Sequence, residues 1–332
     1  MTENTHPSIS VVIPTYNRRQ RLLDCINSVL EAGKNYEGKY EIIVVDDCST
    51  VDIKNEIWKN YVENPNSKCA NNIKFVQNKT RKMTAYSRNA GLWAAECEWV
   101  FFLDNDNVVC PDIFTEFAKC IETKPCLGLV VALTYNIPEN RIWTLGGDIN
   151  WLTMRFKENS PKLLGKARTM TDLDKLELPE TYPTTANAPN AVFVRKDVLQ
   201  AVGGYNTAYK ICYEDVDLAL RVFKAGYPAV VCTTTRTKHI HVDETSLENP
   251  ELRALGISWP DQAYCLVRNR YWLAKYLAPG ITRFVYFALF SWIPGTYYAV
   301  KALKHKRFDV AKAVIKGMFA GLFTSAPACK FN

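Results

Sequence analysis

The chain has 332 residues, 48% of them hydrophobic and 23% charged, enough apolar side chains for the core of one large domain or two smaller ones. This composition excludes a disordered, collagen-like or coiled-coil protein. The formal net charge of +7 is confined to residues 281–332, which carry eight basic side chains and one acidic one. A basic tail on a neutral body favours contact with an anionic membrane surface and argues against a nucleic-acid partner.

The first 110 residues alternate between buried strands and helices. Strands are predicted where β-branched and other apolar residues run together, at 9–13, 41–45, 73–76 and 99–103. Helical periodicity follows three of them, at 22–33, from about residue 52 and over 83–96. Ser49 and Thr50 are placed to cap the second helix. This order predicts an α/β fold with a mainly parallel sheet flanked by helices.

The alternation becomes less regular after residue 111. Further helices are predicted at 112–123 and 214–225, and further strands at 127–133, 191–195 and 229–232. The polar stretch 135–189 is predicted to be a substrate-facing insertion of loops and short elements.

The last segment combines an apolar run with basic residues. Residues 284–300 carry no charge, but these 17 residues are fewer than the roughly 20 that a spanning helix needs, and they include Pro294 and Gly295. With the basic residues from Lys301 onward, the run predicts helices that lie on an anionic membrane surface. Packing on the rest of the protein, or a homodimer interface, is the alternative.

The start of the chain lacks the basic and then apolar pattern of a signal peptide. The eleven cysteines form no Cys-x-x-Cys pair and are interpreted as reduced, mostly buried thiols. The protein is therefore expected in the cytoplasm, peripheral on the inner face of the membrane.

Acidic residues follow two of the predicted strands, at the edge where ligands bind in open α/β sheets. Asp46 and Asp47 end the second strand, and Asp104 and Asp106 end the fourth. The last two are spaced to share one divalent cation, Mn²⁺ or Mg²⁺, with phosphate oxygens and water. They predict a site for a metal-bound nucleoside diphosphate, with ordinary turn residues as the alternative. Glycine-rich P-loop and dinucleotide-binding patterns are absent.

A third acidic cluster, Glu214, Asp215 and Asp217, opens a predicted helix. Carboxylates in a first turn are stabilised by the helix dipole, which is a sufficient structural reason for them. The functional alternative is a general base that takes the proton of an acceptor hydroxyl, and Asp215 fits this role best.

Five motifs together resemble the glycosyltransferases of family 2, which have the GT-A fold. The resemblance covers most of residues 8–275 and rests on Val11–Arg18, Ile43–Thr50, Ser87–Gly91, Phe102–Asn107 and Glu214–Leu218. It implies an inverting, metal-dependent transfer of one hexosyl or deoxyhexosyl group from a nucleotide-sugar donor to a hydroxyl of a glycan or lipid-linked acceptor, in cell-surface glycan or polysaccharide biosynthesis. A nucleotidyltransferase acting on a sugar phosphate is the alternative.

The resemblance also implies roles for individual residues. The donor is expected to contact Pro14, Thr15, Tyr16, Asn17, Asp46, Asp47, Arg81, Arg88, Asn89, Asp104 and Asn105. The metal is expected at Asp104 and Asp106, with His239 or His241 as a further ligand. A zinc site with Cys232, or purely structural histidines, are the alternatives for this pair.

On the acceptor side, the resemblance implies Asp215 as the base and Glu214, Gly204 and Tyr205 as contacts. The turn Gly203–Asn206 has asparagine where similar enzymes have aspartate. The Gln-x-x-Arg-Trp signature of processive synthases is absent, which favours transfer of a single sugar.

Three regions are predicted along the chain. Residues 1–110 form the nucleotide-sugar-binding half of a GT-A domain, residues 111–245 form its acceptor-binding half, and residues 246–332 form a helical, basic, membrane-associating region. Within the last region, Arg268–Trp272 resembles a segment of rhamnosyltransferase-like members of the family.

Overall fold

The computed structural model of the protein describes residues 6–63, 72–137, 140–158, 169–176, 178–186, 190–240 and 249–329. The strands are β1 (Ile9–Thr15), β2 (Tyr40–Asp46), β3 (Ile73–Gln77), β4 (Trp99–Leu103), β5 (Asn107–Val109), β6 (Leu129–Ile137), β7 (Arg141–Thr144), β8 (Gly147–Asn150), β9 (Arg155–Glu158), β10 (Thr181–Pro183), β11 (Ala191–Arg195) and β12 (Ala229–Ile240).

The helices are α1 (Arg19–Gly33), α2 (Ile53–Ile57), α3 (Thr84–Ala94), α4 (Ile113–Thr123), α5 (Met170–Leu173), α6 (Lys196–Val202), α7 (Glu214–Lys224), α8 (Pro250–Ala254), α9 (Pro260–Leu277), α10 (Gly280–Val285), α11 (Trp292–Lys304) and α12 (Phe308–Phe323). Two π-helical turns, Trp58–Val62 and Tyr286–Phe290, continue α2 and α10.

Within the described residues, most strands form one sheet in the order β10-β12-β6-β11-β4-β1-β2-β3, with β5 beside β12 and β7 beside β6. The strands β3, β2, β1 and β4 are parallel, as the alternation of strands and helices predicts. In contrast, β11 is antiparallel to both β4 and β6, so the sheet is mixed beyond β4. The α/β fold class, with helices beside the sheet and a helical C-terminal region, is confirmed.

Both faces of the sheet are covered, so neighbouring residues of one strand belong to different cores. Val11 packs in the core beneath α1 and α4, whereas Val12 packs in the core beneath α3, α6 and α7. Each fully buried side chain of this kind contributes about 1.5–3 kcal/mol relative to an exposed one. A strand buried on both faces has no polar alternation, which is why apolar runs predict these strands.

The strand β12 is longer than the predicted strand 229–232. Its register against β6 shifts between Cys232 and Arg236, and it then continues to Ile240. Thr235 in this extension is fully buried and donates its hydroxyl to a backbone carbonyl. The extension brings His239 opposite Asn107 of β5, at the sheet edge that carries the acidic residues.

The prediction that Ser49 and Thr50 cap the second helix is wrong. Asp52 is the cap, since its carboxylate accepts a hydrogen bond of 3.0 Å from the N–H of Asn55. The Ser49 hydroxyl instead accepts from the N–H of Asn17, and Thr50 donates to the Asn17 side chain. These bonds join the loops after β1 and β2, both of which lie at the carboxyl edge of the sheet.

The C-terminal helices pack on one another around a core of their own, in which α9 and α11 both contact α12. The apolar run 284–300 is divided between α10, the following π turn and α11. Pro294 lies in the first turn of α11, where its missing N–H is tolerated. Among the residues described, no helix combines the length and apolar character needed to cross a membrane.

Candidate active site

A cavity of about 330 Å³ opens at the carboxyl edge of the sheet. Several residues predicted to bind the donor or the metal line it: Pro14, Thr15, Tyr16, Asp47, Arg81, Asp104, Asn105 and Asp106. A larger cleft of about 610 Å³ lies beside Tyr36 and Trp99, at the opposite edge of the sheet and away from these carboxylates.

The two carboxylates at the end of β2 are buried and bonded to protein donors. Asp46 accepts hydrogen bonds from the backbone of the loop after β2 and from the Gln77 side chain. Asp47 accepts from the N–H groups of Lys82 and Met83, both at 2.8 Å. Asp46 therefore shapes its own loop, whereas Asp47 also holds the backbone at the mouth of the cavity.

Two polar contacts support the wall of the cavity. Asn105 is buried and donates its side-chain amide to the Thr15 hydroxyl at 2.8 Å. The guanidinium carbon of Arg81 lies 4.2 Å from the centre of the Tyr16 ring, within the range of a cation–π contact. Arg81 thus brings a positive charge to the rim, while Asn17 joins the loops beneath it.

Arg88 of α3 links two acidic clusters. Its Nη2 lies 2.8 Å from Asp104 Oδ1, and its Nη1 lies 3.2 Å from Glu214 Oε1. Burial alone would lower the pKa of this guanidinium, but the charges of Asp104 and Glu214, with the Tyr205 hydroxyl, raise the pKa above its ordinary value. Arg88 is therefore a buried permanent cation, and its contact with a diphosphate stays a prediction.

The acidic residues at the start of α7 lie in three different environments. Asp217 is buried and pairs with Arg221 on the next helical turn, 2.6 Å apart. Glu214 pairs with Arg88 through one oxygen, and within the described part of the chain its buried Oε2 has no hydrogen-bond partner. For Asp215, no cation of the described residues lies within ion-pair distance.

Burial raises the pKa of both Glu214 and Asp215. The negative charge of Asp215 raises the pKa of Glu214 further, and the negative charge of Asp104 raises the pKa of Asp215. The positive charge of Arg88 lowers both pKa values and so opposes these shifts. A carboxyl group with a raised pKa is a better proton acceptor once it is ionised. The environment of Asp215 therefore suits a general base.

Asp106 and His239 form a pair that fits a divalent cation. Asp106 Oδ1 lies 3.7 Å from His239 Nε2, while Oδ2 is bound by Arg18. His239 Nδ1 lies 3.2 Å from Asn136 Oδ1, which orients the imidazole. Carboxylate oxygen and imidazole nitrogen suit Mn²⁺, and so small a protein ligand set leaves room for phosphate oxygens and water.

The described residues contain no group of three His, Cys, Asp or Glu side chains that could hold a metal by themselves. His241 lies outside the described residues. Cys232, the residue of the zinc alternative, is buried and its thiol contacts the Thr234 hydroxyl. An open metal site completed by substrate oxygens therefore stays a prediction.

Asn89 holds the turn that was predicted to face the acceptor. Its Nδ2 donates to the carbonyl of Tyr205 and its Oδ1 accepts from the N–H of Tyr205, both at 2.8 Å. Gly204 has a φ of +68°, and a Cβ there would lie 2.9 Å from Asn89 Oδ1. A side chain is therefore disfavoured at position 204. Direct contact of Asn89, Gly204 or Tyr205 with a ligand stays a prediction.

Sequence reasoning missed some residues of the cavity wall. Arg18 binds Asp106 and lines the cavity, and its place directly after Tyr16 and Asn17 was an available signal. Trp259 also lines the cavity, although it precedes α9 in the C-terminal region. Nothing in the local sequence of Trp259 pointed to a site more than 150 residues away.

Comparisons with known proteins agree with this architecture. Residues 10–176 match the family model described as Glycosyl transferase family 2. The chain therefore belongs to this family of glycosyltransferases.

Two relatives illustrate the extent of the similarity. The chain is 21% identical over 249 residues to an uncharacterized glycosyltransferase of Haemophilus influenzae, which covers 72% of this chain and 73% of the relative. It is 35% identical over 104 residues to the putative teichuronic acid biosynthesis glycosyltransferase TuaG of Bacillus subtilis, covering 31% of this chain and 38% of the relative.

Solved structures show the same fold. The mannosyltransferase PcManGT from Pyrobaculum calidifontis, in complex with GDP-Man and Mn2+, has a TM-score of 0.57 at 16% identity and covers 96% of this chain and 88% of that one. GalNAc-T7 with UDP, GalNAc and Mn2+ also has a TM-score of 0.57, at 18% identity, over 85% of this chain and 54% of that one. These structures are GT-A glycosyltransferases, and at this identity the likeness concerns the fold.

Proposed function

We propose that the protein is an inverting, metal-dependent glycosyltransferase that moves a single hexose or deoxyhexose from a nucleotide sugar to an acceptor hydroxyl. The observation that carries this proposal is the pair of contacts that links Asp104 through Arg88 to Glu214, the residue directly before Asp215. It sets the carboxylates of the donor cavity on one side of Arg88 and the start of α7 on the other. Inversion requires the base and the leaving diphosphate to act on opposite faces of the sugar, and the acidic residues on the two sides of Arg88 are proposed to serve these two roles.

On the donor side, residues at the carboxyl ends of β1 and β2 and directly after them bind the nucleoside, namely Pro14, Thr15, Tyr16, Asn17, Asp46 and Asp47. Arg81 at the rim and Arg88 behind Asp104 compensate the negative charge of the diphosphate. Asn89 and Asn105 support this binding through the turn at Tyr205 and the Thr15 hydroxyl.

Asp104 and Asp106 would hold Mn²⁺ or Mg²⁺, with His239 or His241 as an additional ligand. When bound, such an ion supplies positive charge that stabilises the leaving diphosphate. Arg18 neutralises Asp106 in the same place and is suited to contact phosphate oxygens.

On the acceptor side, Asp215 takes the proton of the attacking hydroxyl. Glu214, directly beside Asp215, is the proposed acceptor contact on α7, and Gly204 and Tyr205 of the turn held by Asn89 are the other two. Asp217 has no part in proton transfer, because its pair with Arg221 holds it.

We further propose a glycan or lipid-linked acceptor in cell-surface polysaccharide biosynthesis, used at the cytoplasmic face of the membrane. More than half of the large apolar side chains that are exposed in the described residues lie between Ile281 and Phe323. Basic residues are interspersed among them, which suits an anionic bilayer, with a homodimer interface as the alternative occupant.

Product analysis tests the proposed reaction. The protein is incubated with UDP-glucose, UDP-GlcNAc, GDP-mannose or dTDP-rhamnose and Mn²⁺, with or without EDTA. Without an added acceptor, water receives the sugar, so we expect release of a nucleoside diphosphate by hydrolysis that EDTA suppresses. We also expect stabilisation by about 2.7 kcal/mol at a nucleotide concentration 100 times its Kd. Pyrophosphate release from a nucleoside triphosphate and a sugar phosphate would instead indicate a nucleotidyltransferase, and no stabilisation by any nucleotide would contradict both.

A further inference from the structure

The segment 209–213, which leads into α7, has an unusual backbone conformation. Lys210, Cys212 and Tyr213 have φ values of 63°, 66° and 68°, in the left-handed region that L side chains rarely adopt. Such conformations persist only where surrounding groups enforce them, and they cluster at functional sites. The segment ends directly before Glu214 and Asp215, so its path determines where the proposed base stands.

One buried side chain of α9 holds most of this segment. Asn269 is fully buried, and its Nδ2 donates to the carbonyls of Tyr209, Ile211 and Cys212 at 2.9, 2.9 and 2.7 Å. Its Oδ1 accepts from the Nε and Nη2 of Arg268, which fixes the orientation of the amide. The two N–H bonds of a single carboxamide are thus shared among three backbone carbonyls of the strained segment.

The residues on either side of Asn269 hold the two ends of the segment. Arg268 Nη2 donates to the carbonyl of Ala208 at 2.8 Å, before the strained residues. Arg270 Nε donates to the hydroxyl of Tyr213, the last of the strained residues, at 2.8 Å. Three consecutive residues of α9 therefore contact the start, the middle and the end of the segment that presents the acidic pair.

We propose that Asn269 is a positioning residue for catalysis: it holds the backbone of 209–212 in the strained path that aims Asp215 at the acceptor hydroxyl. This rests on the proposed function, in which Asp215 is the base. Asn269 touches neither substrate nor metal in this role. Because Ile211 of the held segment also lines the donor cavity, the loss of Asn269 should lower kcat by more than it raises the donor KM.

The test uses the full-length protein and two substitutions. Asn269→Ala removes the whole amide, whereas Asn269→Asp keeps its shape and its bond to Arg268 but cannot donate to the carbonyls. With the nucleotide sugar turned over by the wild type, we expect kcat to fall at least tenfold in both variants. The donor KM, and the thermal stabilisation by UDP or GDP with Mn²⁺, should change much less than kcat.

Asn249→Ala is the matched control, because Asn249 caps α8 through the N–H groups of Glu251 and Leu252, away from segment 209–213. It should lower the melting temperature and leave kcat unchanged. If the Asn269 variants also lose only melting temperature and keep the wild-type kcat when assayed while folded, the positioning role is refuted.

A double variant separates this proposal from the proposed function. If Asn269 acts through Asp215, Asn269→Ala adds no further loss of kcat to Asp215→Asn. A full additional loss in the double variant overturns the coupling. Normal turnover by the Asp215→Asn single variant would overturn the assignment of Asp215 as the base. If Asp215→Asn is inactive but the Asn269 variants are fully active, only the positioning role of Asn269 is overturned.

Discussion

Asp215 differs from its acidic neighbours in having no cation of the described chain within ion-pair distance, while burial raises its pKa. Asp215→Asn keeps the shape and removes the base, so transfer should fall by on the order of a hundredfold or more while nucleotide binding persists.

A base must be ionised, so wild-type kcat/KM should fall as pH decreases through the raised pKa of Asp215, above the ordinary value of about 4. The pH–rate profile checks this, and Asp215→Asn should lack that acidic limb.

Glu214→Gln is the control for this prediction, because it neutralises the adjacent carboxyl and leaves Asp215 in place. We expect a raised acceptor KM and a retained acidic limb. Normal transfer by Asp215→Asn beside a transfer loss in Glu214→Gln would move the base assignment by one residue.

Asp106 provides a second residue-scale prediction. Its side chain is partly exposed and its ion-pair partner Arg18 is more exposed still, so Asp106→Ala should change the melting temperature little. The same variant should abolish Mn²⁺-dependent stabilisation by UDP or GDP, because one of the metal's carboxylate ligands is gone. Thermal shift with Mn²⁺ and with EDTA measures both effects.

Asp104→Ala is the comparison for Asp106→Ala. It should also abolish metal-dependent binding, but it leaves the buried Arg88 with one carboxylate fewer, so a larger loss of stability is expected. Equal nucleotide affinity with and without chelator in the wild-type protein would contradict the metal assignment.

The acidic residues at the strand ends could be assigned to the site from the sequence alone. An apolar run locates each buried strand, and the residues at its carboxyl end then lie at the edge of the sheet where ligands bind. Asp47, Asp104 and Asp106 line the cavity for this reason. Contacts between distant side chains were not predictable in this way. Arg18 and Asp106 are 88 residues apart, and Asn269 is 58 residues from Ile211, so only tertiary packing brings each pair together.

At the scale of elements, apolar runs predicted the strands buried on both faces but not the full length of β12. The extension from Arg236 to Ile240 is polar, and its buried Thr237 donates to a backbone carbonyl instead of packing as an apolar side chain. Hydropathy alone gives no sign of such a strand. This extension bears on the proposed metal site, since His239 lies on it.

The close packing of α3 on β1 supplies an element-scale prediction. A Cβ at Gly91 would lie 2.2 Å from Val12 Cγ1, so Gly91→Ala forces α3 away from β1. We expect the free energy of unfolding to fall by about 1–3 kcal/mol, as in other overpacked cores. Chemical denaturation measures this change.

Gly280→Ala is the matched control for Gly91→Ala, because a Cβ at Gly280 meets nothing within 4 Å. Its effect should stay below about 0.5 kcal/mol. Equal losses in the two variants would contradict the close approach of α3 to β1. Since α3 also carries Arg88 and Asn89, Gly91→Ala should lower transfer activity together with stability.

At the scale of the whole molecule, the apolar faces of the C-terminal helices lie outside their shared core. On α12, Phe308, Ile315, Phe319 and Leu322 are exposed, and their spacing of seven, four and three residues sets them on one face. Lys312 and Lys316 are exposed on the same helix. The buried positions of α12, such as Val310 and Val314, pack inward, so this helix is amphipathic. Among the described residues, no other element covers the apolar stripe formed by its four exposed side chains.

On α11, Trp292, Ile293, Tyr297, Val300 and Leu303 are exposed in the same way, whereas the small residues Ala299 and Ala302 face inward. Two successive helices thus expose aromatic and aliphatic side chains beside lysines. This combination is typical of helices that lie in the interface of an anionic bilayer.

These surfaces predict binding of the full chain to liposomes that contain anionic phospholipid, measured by flotation. Changing the exposed Lys304, Lys312 and Lys316 to Glu should weaken binding by roughly a hundredfold or more, since each lysine near such a surface contributes about 1 kcal/mol. Changing Lys39, Lys54 and Lys59 to Glu is the matched control, because it alters the net charge equally on the other part of the chain. Substitutions are preferable to truncation, since α9 packs along α12 and would lose its partner.

The apolar stripe and the charges are separable in the same experiment. Phe319→Ser with Phe323→Ser keeps every charge, and it should weaken binding to anionic liposomes at all salt concentrations. For the wild type, binding should weaken as salt shortens the Debye length from about 10 Å at 0.1 M. Equal flotation of the lysine variant and its control would refute a membrane role. If sedimentation instead shows a dimer that depends on concentration and is lost in the phenylalanine variant, the surface belongs to a contact with a second copy of the chain.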